Sequence, residues 1–303
     1  MRVMKLSFLQ QISLLAKLYN KLLFFIIVIS ACCANKLNAN LDSSLRDDDP
    51  WNVYFNSQFI GEETKSCINC NLSPGKGQYY LDECTFYNDN DRVINFSSID
   101  DSLFLHNRCF FSHCTSAEDG SCVYYNVDRN SSIVQRKFCC TKCESSKNGH
   151  FSYIKVDPNN INFFIESSLF DVGKEDIGEK AIHAEKDNII VSSTNFSSCK
   201  APDVATCSLV SQSNNYITTF NYSTVINNKA TDGDSVIIEI WYNSLIDSCN
   251  IINNTNRQST IGIIYHQANS LTVKSCSFIN NTTPEGSCLI YNNDDQLTVD
   301  SCS

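Results

Sequence analysis

Along most of this chain, apolar and polar positions alternate for a few residues, slip by one, alternate again, and then give way to a gap rich in asparagine. The unit recurs. Its clearest copy is Ser270 to Asn292, SLTVKSCSFINNTTPEGSCLIYN. With Phe278 as anchor, the equivalent positions upstream read Ile251, Val225, Phe196, Phe170, Cys140, Phe111 and Phe86, at intervals of 25 to 30 residues. Seven residues before the anchors stand Tyr79, Phe104, Ile133, Phe163, Ile189, Thr218, Ser244, Leu271 and Leu297, and five before them Leu81, His106, Gln135, Ile165, Val191, Phe220, Ile246, Val273 and Val299. Two before come mostly small residues, Cys249 and Cys276 among them. Inward positions two apart mean strand, and the slip between two such pairs marks a bend.

A third short strand follows in most copies, from Gly120 to Tyr125, Gly149 to Ile154, Gly178 to Ala184, Gly233 to Ile238, Gly262 to Tyr265 and Gly286 to Tyr291. Three short strands per repeat of about 27 residues predict an all-β solenoid, a right-handed parallel β-helix of about nine coils over residues 76–303. At one strand spacing per coil the rod would be roughly 40 Å long. Phe196, Val225, Ile251 and Phe278 should stack inside it, with Cys249 and Cys276 alongside.

Three residues after the anchor lies a column of Asp89, Cys114, Cys143, Gly173, Cys199, Asn228, Asn254 and Asn281. Asn, Asp and Gly there supply positive φ or side-chain bonds to the backbone. Paired asparagines in three consecutive coils, Asn227-Asn228, Asn253-Asn254 and Asn280-Asn281, predict an asparagine ladder that fixes register. The same texture creates glycosylation sequons at Asn71, Asn95, Asn130, Asn195, Asn221, Asn253, Asn280 and Asn281, of which only exposed ones should be used.

The net charge of −10 argues against nucleic acid and anionic lipid, because no basic face exists to displace counterions from phosphates. Seventeen cysteines point to an oxidising compartment. Lys5, Lys17 and Lys21 precede an apolar run from Leu22 to Ile29 and then small residues to Ala34, the order of a secretory signal, so residues 1–34 read as a signal peptide. Lipidation at Cys32 and an uncleaved anchor are the competing readings. The run is too short to span a membrane, and no span is expected in the mature chain. Residues 35–75 read as a linker followed by an N-terminal cap, in which Trp51, Tyr54 and Phe55 would cover the first coil's open edge.

Cys67-Ile68-Asn69-Cys70 and Cys140-Thr141-Lys142-Cys143 lack the spacing of a zinc ribbon and read as disulfides or stacked thiols. Cys114 and Cys143, one coil apart in one turn column, are the preferred bridge. Cys249, Cys276 and Cys302 are expected to remain buried thiols. No cofactor or metal is expected, since the five histidines show no ligand spacing.

The nearest approach to a catalytic set is Asp247, Lys274 and Asp300, in the column four before the anchor on successive coils. Alternating charge in a solvent-facing ladder also arises simply to avoid like-charge repulsion. No catalytic residue is assigned.

Phe278-Ile279-Asn280-Asn281 followed by Gly286-Ser287-Cys288-Leu289-Ile290 resembles the repeats of the chlamydial polymorphic outer-membrane protein family. It is also similar to repeats in surface proteins of parasitic protists such as trichomonads. The likeness covers about residues 76–303, without the family's second glycine and with Val225 and Ile251 in place of Phe. It implies display on a cell surface and a role in adhesion, with a host or neighbouring-cell protein or glycan as partner. It also implies a C-terminal barrel or membrane helix, so a chain ending at Ser303 is expected to be a fragment. A polysaccharide lyase or hydrolase on the same fold and a structural spacer are the alternatives.

Overall fold

Strands of two to seven residues cannot persist alone, so each pairs with the same segment one turn away; every pairing among the described residues is parallel. The computed structural model describes residues 49–303 apart from 71, 73–75, 98–100, 128–129, 158–159, 187, 213–215, 233–234, 258–260 and 294–295. The signal segment, Cys32 and the sequon at Asn71 therefore lie outside the described residues. Two units divide after Val53, and the second, Tyr54–Ser303, is a β-solenoid of about eight turns of about 27 residues.

Among the described residues the first, long sheet has ten strands, from Glu62–Lys65 to Gln296–Asp300. The second has eight, from Thr85–Tyr87 to Ser277–Ile279, and the third eight, from Ile94–Ser97 to Ile290–Asn292. Complete three-sided rungs are thus about one fewer than the nine expected, because the outermost strands extend the long sheet alone. Tyr54 stands edge-on to Phe163 at 6.3 Å, on the fifth strand of the long sheet rather than over the first rung.

Two corners turn each rung, and both use one residue in the left-handed region. The first corner carries Glu83, Arg108, Lys137, Glu166, Ser193, Tyr222, Ser248, Ser275 and Ser301, with φ from 49° to 57°. The second carries Asn88, His113, Lys142, Asp171, Ser198, Asn227, Asn253 and Asn280, with φ from 51° to 58°. Such a conformation costs a non-glycine residue roughly 1–2 kcal/mol. Hydrogen bonds that run unbroken through the corners offset it, as from Arg108 N to Arg136 O at 3.1 Å and Asn227 N to Ile252 O at 3.0 Å.

In the second sheet Phe196 pairs with Val225, Val225 with Ile251, and Ile251 with Phe278. Upstream the register corrects the sequence reading by one residue. Leu169, not Phe170, lies between Cys140 and Phe196. The shift carries through that rung: Asn162 rather than Phe163 lies between Ile133 and Ile189, and Phe164 rather than Ile165 between Gln135 and Val191. Glu166 becomes a corner. The physical cause is that Phe163-Phe164 and Leu169-Phe170 are adjacent apolar pairs, so alternation fits either phase until Asp171 turns the second corner.

Phenylalanines fill the middle of the tube, with Phe138 stacked on Phe151 at 4.6 Å and Phe86 on Phe111 at 5.2 Å. Burying each such ring stabilises by about 2–3 kcal/mol. The three-after-anchor asparagines point inward and make side-chain bonds, while positive φ belongs to the residue before. Asn228 Nδ2 donates to Asn254 Oδ1 and Asn254 Nδ2 to Asn281 Oδ1, each at 3.0 Å.

This division decides which sequons are accessible. Asn95, Asn130, Asn253 and Asn280 are exposed, Asn195 and Asn221 are half-buried, and Asn281 Nδ2 is engaged with Ile251 O at 2.7 Å. Peptide mapping of protein secreted from a eukaryotic host should find glycan on the first four and none on Asn281. Occupancy of Asn281 in preference to Asn280 would contradict this geometry.

Candidate functional site

The outward column of the third sheet reads, rung by rung, Tyr124, Tyr153, His183, Ser208, Glu239, Tyr265 and Tyr291. Two residues on, a second outward column carries Asn126, Lys155, Glu185, Val210, Trp241 and Gln267. Strand alternation sends these side chains out while Tyr125, Ile154 and Ala184 point into the core. The result is a polar and aromatic strip along the sheet, partly exposed at Tyr124, Tyr153, Glu239, Tyr265 and Tyr291 and buried in its middle at His183 and Ser208.

Contacts within the strip are dense. The Arg92 guanidinium lies 3.7 Å over the Tyr124 ring, Tyr124 stacks on Tyr153 at 5.5 Å, and Tyr153 meets His183 at 5.1 Å. His183 Nε2 bonds Glu185 Oε1 at 2.9 Å, and Lys155 lies 2.8 Å from the same carboxylate. That hydrogen bond, against an opposing burial penalty and with help from Lys155, holds the Glu185 carboxyl down at about 2. Further along, Trp241 Nε1 donates to Glu239 Oε1 at 3.0 Å and Ser208 Oγ donates to Glu239 Oε2. Lys180 Nζ sits 3.5 Å from Asp203 and 3.8 Å from Glu239. Burial pushes the Asp203 carboxyl up to about 6, Lys180 opposing and Glu239 adding to the shift. Tyr265 stacks on Tyr291 at 5.9 Å.

The charge ladder read from the sequence is present but compensated. Asp247, Lys274 and Asp300 share one column of the long sheet, and Lys274 pairs with Asp247 at 3.2 Å. Four of the five histidines, His106, His150, His183 and His266, are buried and hydrogen-bonded. Metal-ligand spacing was the wrong signal to ask of them; membership of an inward strand column was the informative one for His106.

Cys67 and Cys70 are joined at 2.03 Å. Cys114 and Cys143 are brought together but are both thiols, and Cys122 shares their neighbourhood: the three sulfurs all lie within 4.8 Å of one another. Cys249 and Cys276 are buried thiols in successive rungs, as is Cys109 above Cys84. A cleft of about 610 Å³ near the first rungs is lined by Ile60, Gly77, Tyr79 and Leu103, and its Lys76 is paired with Asp101 at 3.4 Å.

By its fold and its decorated face the chain is a three-sided parallel β-solenoid with a lateral aromatic and carboxylate strip. No family profile, curated protein or solved structure matches it. No helix among the described residues is long and apolar enough to cross a membrane.

Proposed function

We propose that this protein is a secreted or cell-surface β-solenoid that adheres without catalysis to glycans of a host or neighbouring cell, through the outer face of its third sheet. The observation that carries this reading is the strip from Arg92 and Tyr124 to Trp241 and Tyr291. It combines aromatic surface, hydroxyls and fixed carboxylates at one rung's spacing, the chemistry that a chain of sugar rings uses for stacking and hydrogen bonding.

The resemblance of the repeat to those of surface proteins, the exposed sequons and the acidic balance are consistent with an extracellular location. A spacer would need no such strip. A polysaccharide-cleaving enzyme is the second reading, favoured by Asp203, a carboxyl that titrates near neutrality beside a second carboxylate. Against it, both Glu239 oxygens already accept bonds from Trp241 and Ser208.

Glycan-array and cell-binding measurements on the full chain test the proposal. Tyr153→Ala combined with Trp241→Ala should weaken binding at least about tenfold, as aromatic anchors do when truncated. Asp247→Ala, on the long sheet, should leave it unchanged. Binding that survives the double change would overturn the strip as the binding face, and glycan turnover lost in Asp203→Asn would overturn the non-catalytic reading.

A further inference from the structure

Two arrangements of thiols coexist inside the tube. In the first, one cysteine per rung occupies a single column, as in Cys249, Cys276 and Cys302, and each sulfur donates to a main-chain carbonyl, for example Cys249 to Phe220 O at 3.5 Å. Cys249 and Cys276 are small buried hydrophobes with their one donor satisfied, whereas Cys302, on the last rung, is half-buried rather than the buried thiol expected from the sequence. The second arrangement is different in kind.

Cys114 and Cys143 stack at the second corner of adjacent rungs, and Cys140 points inward from the second sheet beside them. Cys122 enters from the opposite corner, directly before the third-sheet strand Val123–Asn126. All four are buried, none more than 2 % exposed. Lys142, with φ 54°, folds Cys140-Thr141-Lys142-Cys143 into a tight turn. Unlike the single-column thiols, the sulfurs of Cys114, Cys122 and Cys143 converge from two sides of the tube, all within 4.8 Å of one another.

We propose that Cys114, Cys122, Cys140 and Cys143 form a tetrathiolate site for one thiophilic divalent cation of the zinc class, held inside the solenoid between two adjacent rungs. Zinc–sulfur bonds of about 2.3 Å set tetrahedral edges of roughly 3.8 Å, so the Cys114, Cys122 and Cys143 sulfurs, already within 4.8 Å of one another, need only small side-chain rotations, and Cys140, buried in the same turn as Cys143, supplies the fourth ligand. Each thiol that ligates gives its proton to solvent, and nothing is oxidised. The disulfide alternative would consume the same sulfurs in pairs, as at Cys67 and Cys70, whereas all four are thiols here.

Full-length protein purified under reducing conditions should carry one zinc per chain by elemental analysis. One equivalent of Co²⁺, replacing it, should give the visible bands of a tetrahedral sulfur-ligated ion. Cys122→Ser should lose both signals, while Cys276→Ser, in the single-column ladder, should keep them. If Cys122→Ser fails to fold, wild-type protein decides the matter: chelation should lower its thermal midpoint and added Zn²⁺ should restore it. The proposal fails if the folded wild type binds no stoichiometric metal, if the Co²⁺ spectrum persists in folded Cys122→Ser, or if peptide mapping finds these four cysteines joined in pairs.

Discussion

Asn254→Ala should lower the unfolding free energy by about 3–4 kcal/mol, one of the largest losses expected from a single change in this chain. The residue is fully buried and uses all of its amide. Its Nδ2 donates to Val225 O at 2.9 Å and to Asn281 Oδ1 at 3.0 Å, and its Oδ1 accepts from Asn228 N at 2.9 Å and Asn228 Nδ2 at 3.0 Å. Alanine leaves the Asn228 N–H and the Val225 carbonyl inside the tube with those partners removed, and stranded buried groups of this kind cost about 1–3 kcal/mol each. Asn254→Asp should fare no better, because it sets a second acceptor against the Val225 carbonyl. Asn253→Ala, one residue earlier and exposed, changes only a left-handed corner and should cost roughly 1–2 kcal/mol. Urea denaturation of the three variants checks the order. Equal losses at positions 253 and 254 would mean that the ladder contributes nothing beyond turn geometry.

That ladder was legible in the sequence because identical residues recur at one interval, and a solenoid converts interval into contact. The column from Phe196 to Phe278 was legible for the same reason. What escaped was local phase. In Ser168-Leu169-Phe170-Asp171 either apolar residue satisfies the alternation, and only the parallel partners above and below choose Leu169. The corners were visible as a slip, yet Glu83, Arg108, Lys137 and Tyr222 are not residue types that announce positive φ. Their conformation is imposed by the stack, not by composition.

The outward strip escaped differently. Tyr124, Tyr153, Tyr265 and Tyr291 all stand in the quoted third strands, but a strand read alone does not say which of its faces lines up over seven rungs. Lys180, Asp203 and Glu239 lie in three different rungs and share no sequence motif. Cys122 stands two residues after Gly120, as Cys288 does after Gly286, in a different column from Cys114 and Cys143, so its approach to them is a fact of winding. The sequence carries strong information wherever the period itself makes the contact, and little wherever two sides of one rung converge.

Acidification from pH 7 to pH 4 should remove about 6 kcal/mol of stability through two imidazoles, before the smaller relief at Asp203. His106 is fully buried, accepts or donates one bond to Gln135 at 2.9 Å, and leaves Nδ1 without a partner. His150 takes a bond from Ser145 N at 3.0 Å on Nδ1 and lies where side chains at Gly173 and Gly178 would collide with its ring, at 2.4 Å and 2.3 Å. Both glycines also have positive φ, 78° and 69°. Burial pushes each imidazole down to about 4, the Gln135 bond opposing at His106. The folded values lie below the unfolded value near 6.5, so the fold prefers the neutral rings. Their contribution is complete above pH 6.5 and is lost as pH falls toward 4, by about 3 kcal/mol for each ring. Asp203 works in the opposite sense: its folded value of about 6 exceeds the unfolded one, so its protonation relieves a cost over the same window. Its side chain is 38 % exposed, which discounts that relief. Glu185, held at about 2, loses its contribution only below pH 4.5, after the histidine step is largely complete. Denaturation midpoints measured across pH 7 to 4 should therefore fall steeply in the wild type and about half as steeply in His106→Gln. The exposed His113→Gln should follow the wild type. A stability profile flat between pH 6.5 and 4.5 would show that the two buried rings accept protons without opening the tube.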